Sequence, residues 1–254
     1  MNITGKTAII TGGASGLGEA AALALHEAGA NVVIADLNEE KGNALAAKLG
    51  DKALFAKCNV TSTEEITATI DAAVEKFGGL HILVNNAGMG SAGRTIGRKG
   101  PWNIDWFKMV MDVNLIGAFD MLSNAAFAMD KNEPTEGEKG VIINVASVAA
   151  FDGQIGQAAY SASKGGVAAM TLPVARDLSR HLIRVVTIAP GTFDTPMLAQ
   201  LPDETRQALA DSIPMPQRLG DPKEFGMLVK HICENTFLNA ETIRLDGAIR
   251  MAPR

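Results

Sequence analysis

The chain has 254 residues, 47% hydrophobic and 20% charged, which supplies the apolar material for a sizeable core. A formal net charge of -5 and a pI near 5.4 argue against a nucleic-acid or anionic-membrane partner. Cys58 and Cys233 stand in no metal or redox spacing and the four histidines are scattered, so no metal is expected. No apolar run approaches the roughly 18 residues of a membrane span and no leader pattern precedes the first strand, so a cytoplasmic protein is expected.

Taken in order, Lys6 to Ile10 reads as a strand, followed by the turn Thr11-Gly12-Gly13-Ala14-Ser15-Gly16-Leu17-Gly18 and a breaker-free helix over Ala20 to Ala28. A second strand, Asn31 to Ala35, closes at Asp36. A helix from Asn38 to Leu49, a strand from Ala53 to Lys57 and a helix from Thr63 to Phe77 follow. The fourth strand, Ile82 to Val84, runs into Asn85-Asn86-Ala87-Gly88 and a glycine-containing loop. Trp106 to Met129 reads as one long helix carrying Asn114. Val141 to Val145 is the fifth strand, Tyr160 to His181 a helix, and Arg184 to Ile188 the sixth strand, ending at Ala189-Pro190-Gly191. After a stretch with prolines at both ends come a helix from Pro222 to Glu234 and a last strand from Glu241 to Leu245. Short, continuously apolar strands alternating with helices predict an α/β fold, a doubly wound parallel sheet covered on both faces. With no composition break, one domain over 1–254 is expected.

The glycines at 12, 16 and 18 lie between a strand and a helix, where a tight turn brings backbone amides and a helix N-terminus to a pyrophosphate. Asp36, at the end of the second strand, can accept hydrogen bonds from both ribose hydroxyls and would repel a 2′-phosphate, which favours NAD over NADP. Its other reading is a surface cap for the helix near Asn38.

Tyr160 is the chain's one tyrosine, and Lys164 follows at i+4, one helical turn along the same face. A phenol titrates near pH 10 in isolation, and a neighbouring cation favours its phenolate. Ser147, thirteen residues upstream at the end of an apolar strand, can be brought beside the phenol. Two hydroxyls aimed at one point can hold a carbonyl or alcohol oxygen and exchange its proton. Ser161 and Lys164 also form S-x-x-K, but the partner motifs S-D-N and K-T-G are absent.

Together, Thr11-Gly12-x-x-x-Gly16-x-Gly18, Asn85-Asn86-Ala87-Gly88, Asn114, Ser147, Tyr160-x-x-x-Lys164 and Pro190-Gly191 resemble the short-chain dehydrogenase/reductase family along the whole chain. The resemblance implies a single-domain Rossmann fold that moves a hydride between a nicotinamide and an oxygen-bearing carbon. It implies Tyr160 as general acid/base, with Lys164 lowering its pKa and holding the nicotinamide ribose. Ser147 then positions the substrate oxygen, and Asn114 supports a proton-relaying water. Gly12, Ser15, Gly16, Leu17 and Gly18 would lie along the cofactor with Asp36, Asn59, Val60, Asn86, Ala87, Gly88, Pro190 and Phe193. Asn59 departs from the aspartate often found at the adenine.

A narrower resemblance, to the short-chain 3-hydroxyacyl-CoA dehydrogenases, rests on Gly140 to Phe151, Gly156 to Gly166, Arg218 to Pro222 and Ile243 to Met251. It implies NAD-dependent interconversion of L-3-hydroxyacyl-CoA and 3-ketoacyl-CoA. The alternatives are a hydroxysteroid or other secondary-alcohol dehydrogenase, a 3-oxoacyl-carrier-protein reductase using NADPH, and a dinucleotide-sensing scaffold. A homo-oligomer, most simply a tetramer, is implied as well. Residues 192–216 are expected to form a substrate lid around a short helix from Pro202 to Ser212. Leu198, Leu201, Leu209, Ile213 and Met215 would be its apolar wall.

Overall fold

In chain order the elements are β1 (Thr7–Thr11), α1 (Gly16–Glu27), β2 (Asn31–Asp36), α2 (Glu39–Leu49), β3 (Ala53–Lys57), α3 (Thr63–Phe77) and β4 (Ile82–Asn85). Then come a small hairpin of β5 (Ile96–Gly97) and β6 (Gly100–Pro101), α4 (Ile104–Met111), α5 (Gly117–Met129), β7 (Gly140–Val145), α6 (Ala158–Leu178) and β8 (Ile183–Pro190). The chain closes with α7 (Asp203–Asp211), α8 (Pro222–Glu234) and β9 (Thr242–Leu245). This computed structural model describes every residue except Lys99, Met197 and Arg254. The expected lid is therefore described apart from residue 197, and the expected domain apart from those three.

Seven strands form one parallel sheet in the order β3-β2-β1-β4-β7-β8-β9. The register sets Ile10 beside Ile34 and Val84, Val84 beside Ile143, and Ile143 beside Val186. Side chains alternate across the sheet. Ile10, Val84, Ile143 and Val186 therefore pack with Leu25, Phe225 and Val229 of α1 and α8. Their neighbours Ile9, Leu83, Ile142 and Val185 pack on the other face with Ile66, Met121, Met129 and Val174. Burial on both faces is why the strands read as unbroken apolar runs. The chain walks outward through β1, β2 and β3, then crosses back to β4 on the other side of β1. That reversal leaves a crevice at the carboxyl ends of β1 and β4.

Several boundaries differ from the sequence reading. α1 begins inside the glycine motif, at Gly16 rather than Ala20. The long helix expected over 106–129 is α4 and α5 joined by a π-helical turn, Asp112–Ile116, and it starts at Ile104 behind an Asn103 cap. A π turn inserts one residue into the helical register, and here it carries Asn114. Gly117 follows it because a Cβ there would collide with the Val60 carbonyl. α6 opens at Ala158, so Tyr160 lies in its first turn and is not its first residue. β8 runs on to Pro190, which costs no ladder bond at the strand's end.

Candidate active site

The carboxyl edge of the sheet holds a cleft of about 760 Å³. At one end lies the glycine turn. Gly12 (φ +62°) and Gly16 (φ +58°) take left-handed backbone that disfavours any side chain. A Cβ at Gly18 would run into the Gly12 carbonyl, so Gly18 lets α1 close onto the turn without itself lining the cleft. Gly12, Ser15, Gly16 and Leu17 do line it, and Ser15 leaves the helix uncapped. The turn is tied to the end of β4 by Thr11, whose Oγ1 accepts from the amides of Asn86 (3.0 Å) and Ala87 (2.9 Å). Asn86 Nδ2 donates to the carbonyls of Thr11 (3.2 Å) and Gly12 (3.3 Å). Asn86 therefore braces the turn as well as lining the cleft, and Thr11, given no site role from sequence, is the hinge pin of both loops.

Asp36 lines the cleft beside Leu37. Its Oδ2 accepts from the Ala14 amide (3.0 Å) and its Oδ1 from the Asn38 amide (2.9 Å). The helix cap is Asn38 itself, which accepts from Lys41 N (3.0 Å). The carboxylate is thus oriented by backbone on two sides and faces the space beyond the glycine turn. Asn59 and Val60 line the next stretch of wall with Cys58. Asn59 Oδ1 is engaged by the Thr61 amide (3.1 Å) and hydroxyl (2.9 Å), while its amide nitrogen has no partner among the described residues. Burial pushes the Cys58 thiol up from its ordinary pKa.

At the other end Ser147, Tyr160 and Lys164 share a wall with Gln157. Ser147 caps a short 3-10 turn by accepting from Ala149 N (3.1 Å). Lys164 is buried and its Nζ donates to the Val145 carbonyl (2.8 Å). Desolvation lowers its pKa to about 8. Contrary to expectation, the Tyr160 phenol lies above its ordinary pKa. Burial raises it, and the neighbouring Ser147 hydroxyl only partly pulls it back. Asn114 is buried behind this wall, outside the cleft lining. Its Oδ1 accepts from Met89 N (2.8 Å), and its Nδ2 donates to Met89 O (2.9 Å) and Ser163 Oγ (3.1 Å). Gly88 sits between the two. A Cβ there would lie 3.2 Å from Asn114 Oδ1 and 3.3 Å from Lys164 Nζ.

Pro190 and Phe193 line the third side. Phe193 pairs with Gly220, where a Cβ would meet the ring at 2.7 Å. The expected short helix is present as α7, but the expected apolar wall is not. Of its five members only Leu198 lines the cleft. Ile213 is buried against Gly247, and Leu201 and Met215 are exposed. α7 has acidic residues in its first turn and buries none of its side chains, and none of them lines the cleft.

The cradle fits a dinucleotide: a glycine turn at a helix N-terminus for the diphosphate, an oriented carboxylate for a ribose, and a half-buried hydroxyl pair, Ser147 and Tyr160, at the far end. The sequence reading passed over Met89, Ser91 and Gln157 as cleft residues, and Thr11 as the brace behind them. Single residues in loops and at a helix start carry no periodic signal that would have found them. Among the described residues no three His, Cys, Asp or Glu are grouped to hold a metal, and no helix is long and apolar enough to cross a membrane.

Residues 6–206 match the family described as short chain dehydrogenase. The chain is 51% identical over 254 residues to a 3-hydroxyacyl-CoA dehydrogenase type-2 of Drosophila melanogaster, covering 99% of this chain and 100% of that one. A crystal structure of 3-hydroxyacyl-CoA dehydrogenase type-2 from Mycobacterium avium superposes with a TM-score of 0.95 at 43% identity, over 98% of each chain. A 3-ketoacyl-(acyl-carrier-protein) reductase from Brucella melitensis, complexed with NADH, gives 0.88 at 31% identity, over 98% of this chain and 100% of that one.

Proposed function

The chain belongs to the short-chain dehydrogenase family and is an oxidoreductase using a nicotinamide cofactor; from that premise we propose that it interconverts L-3-hydroxyacyl-CoA and 3-ketoacyl-CoA with NAD. The observation that carries the chemistry is the shared wall of Ser147, Tyr160 and Lys164 in a cleft whose far end holds the Asp36 carboxylate. The substrate class is supported by relatives of about half identity named for that activity.

In oxidation, the Ser147 hydroxyl holds the substrate oxygen, and Tyr160 takes the hydroxyl proton while passing its own proton on toward Lys164. The carbon-bound hydrogen leaves with its electron pair as hydride, and a ketone results. The bound nicotinamide supplies the hydride acceptor. Lys164, which titrates near pH 8, is placed to pass a proton between the phenol side and Asn114, whose anchoring by Met89 fixes the end of that path. Reduction reverses each transfer. Asp36, with no basic residue in 12–18, favours NAD over NADP by repelling a 2′-phosphate. Residues 192–216 act as the lid, with Leu198 its cleft-facing contact.

The same reading makes the active species a cytoplasmic homotetramer. Ile116, Phe119 and Phe127 on the π turn and α5 are each more than half exposed, an apolar face suited to a second copy. Sedimentation showing a fully active monomer would refute the oligomer. The substrate is tested by initial rates with acetoacetyl-CoA, a steroid ketone and an acetoacetyl carrier-protein thioester, each with NADH and NADPH. Brisk acetoacetyl-CoA reduction with NADH is expected. No such turnover beside rapid reduction of either alternative overturns the acyl-CoA reading.

A further inference from the structure

Beyond β9 the chain runs back to the loop that separates Ser147 from Tyr160. Ile155 N donates to Pro253 O (3.0 Å), and Gln154 Nε2 to Ala252 O (2.9 Å). Gln154 is in turn clasped by Gln157. Its amide donates to Gln157 Oε1 (3.0 Å), and its carbonyl accepts from the Gln157 amide (3.0 Å). Gln157 stands just before α6 and lines the cleft, three positions ahead of Tyr160. The same segment is held on its other side by the close of the 192–216 stretch. Met215 N donates to Gly247 O (3.2 Å), and a Cβ on Gly247 would collide with Ile213. A Cβ on Gly191, a cleft residue, would meet Asp246 Cα at 2.8 Å.

Arg244 fastens this segment. Its Nη2 donates to Asp152 (2.5 Å) and to Ile249 O (2.9 Å), and its Nε to Asp246 (2.7 Å). The guanidinium lies 5.5 Å from the centre of the Phe151 ring. Asp246 accepts as well from Ala248 N (3.0 Å) and Arg250 Nη1 (3.2 Å). The guanidinium and both carboxylates are mostly buried, so solvent ions screen the pairs weakly. Arginine suits the place because a planar fork serves several acceptors while its face lies on a ring. Asp152 carries the fastening to the chemistry. Its amide and that of Phe151 both donate to Val148 O (2.9 Å each), closing the turn that Ser147 caps.

We propose that Arg244 is a positioning residue for the hydroxyl pair, with residues 246–253 as the strap through which it acts. The proposal rests on the roles given above to Ser147 and Tyr160. Asp152 holds the Ser147 end of the loop, and the carbonyls of Ala252 and Pro253 hold the end that leads to Tyr160. One guanidinium therefore fixes both ends, and with them the spacing of the two hydroxyls. Transfer between positioned groups is sensitive to shifts well below an ångström. None of the strap's bonds reaches the glycine turn or Asp36, so cofactor affinity is independent of it.

The test compares the parent with Arg244→Met, Asp152→Ala, their double variant and a chain ended after residue 251. Initial rates are taken with NADH and acetoacetyl-CoA, or with a steroid ketone if that is what the parent reduces. Fluorescence titration with NADH and thermal melts accompany them. Each single substitution is expected to lower kcat about tenfold, with NADH affinity within about twofold of the parent. The double variant is expected to lose no more than the larger single loss, because both changes cut one link. Ending the chain after 251 removes two exposed residues that hold Gln154 and Ile155, and is expected to lower kcat about threefold. An ion pair with a purely structural role would lower the melting temperature and leave kcat of the folded enzyme unchanged. That result in Arg244→Met, Asp152→Ala or the shortened chain overturns the strap. Losses that multiply in the double variant overturn it too, as does NADH affinity that falls in step with kcat. The shortened chain keeps Arg244 and both carboxylates, so it decides the matter even if Arg244→Met fails to fold. Tyr160→Phe separates the two readings: if it keeps the parent's turnover, the hydroxyl roles fail and the strap with them. Parent-like kcat in the strap variants beside an inactive Tyr160→Phe defeats the strap alone.

Discussion

Gly88→Ala probes the centre of the site with one carbon atom. The new Cβ would lie 3.2 Å from Asn114 Oδ1 and 3.3 Å from Lys164 Nζ, where ordinary contacts begin at 3.4 Å. Neither neighbour retreats freely: Asn114 is held by Met89 and Ser163, and Lys164 by the Val145 carbonyl at 2.8 Å. The strain is relieved by moving these groups a few tenths of an ångström, at a cost of about 1 kcal/mol in stability. A misplacement of 1 Å can cost about 100-fold in rate, so this smaller shift is expected to lower kcat roughly three- to tenfold. Gly165→Ala is the control. It adds the same atom one residue beyond Lys164, where the nearest heavy atom is 3.8 Å away, and in mid-helix it is expected to stabilise by about 0.5–1 kcal/mol. Initial rates across pH 6–10 with thermal melts would measure both. A Gly88→Ala enzyme with the parent's kcat and pH profile would refute the idea that Asn114 and Lys164 work as a spaced pair across Gly88.

Tyr160→Phe is expected to cut kcat by about 10²–10⁴ while NADH still binds, as fluorescence titration would show; turnover within a few-fold of the parent would sink the assignment. Asp36→Ala should narrow the preference for NAD over NADP by about tenfold or more, read as the ratio of kcat/KM values; a parent that uses both cofactors equally would mean that the carboxylate does not meet the ribose. Lys164 titrates near 8 when folded, below its ordinary 10.5, so burial of its charge opposes folding. That cost is fully present below pH 8 and fades as pH rises toward 10.5, because there the unfolded chain binds more protons. Lys164→Met should therefore exceed the parent in stability at pH 7 by up to about 3 kcal/mol, the advantage shrinking by pH 10. Urea unfolding at the two pH values measures it, and a gap that does not narrow contradicts the buried-cation argument.

Much of this was legible in the residues because it is encoded locally. Strand and helix alternation follows from apolar runs, and glycines 12 and 16 announce a turn that L side chains resist. Tyr160 and Lys164 fall one turn apart by helical spacing alone. Other features depended on groups far apart in sequence. Thr11 became the brace of two loops only when β1 and β4 paired. Asn114 turned inward because a π turn, accommodated by Gly117 against Val60, rotates it there. Ile213, apolar and well placed in sequence for a substrate wall, went to Gly247 instead. The phenol's pKa rose because burial outweighed the pull of the Ser147 hydroxyl, thirteen residues away in the chain. Near-neighbour chemistry determined which elements form and where the glycine turn and the Tyr160–Lys164 pair fall along them. Direction, burial and the resulting charge states were decided by the tertiary structure, since each depends on the distance to atoms that the chain brings together only on folding.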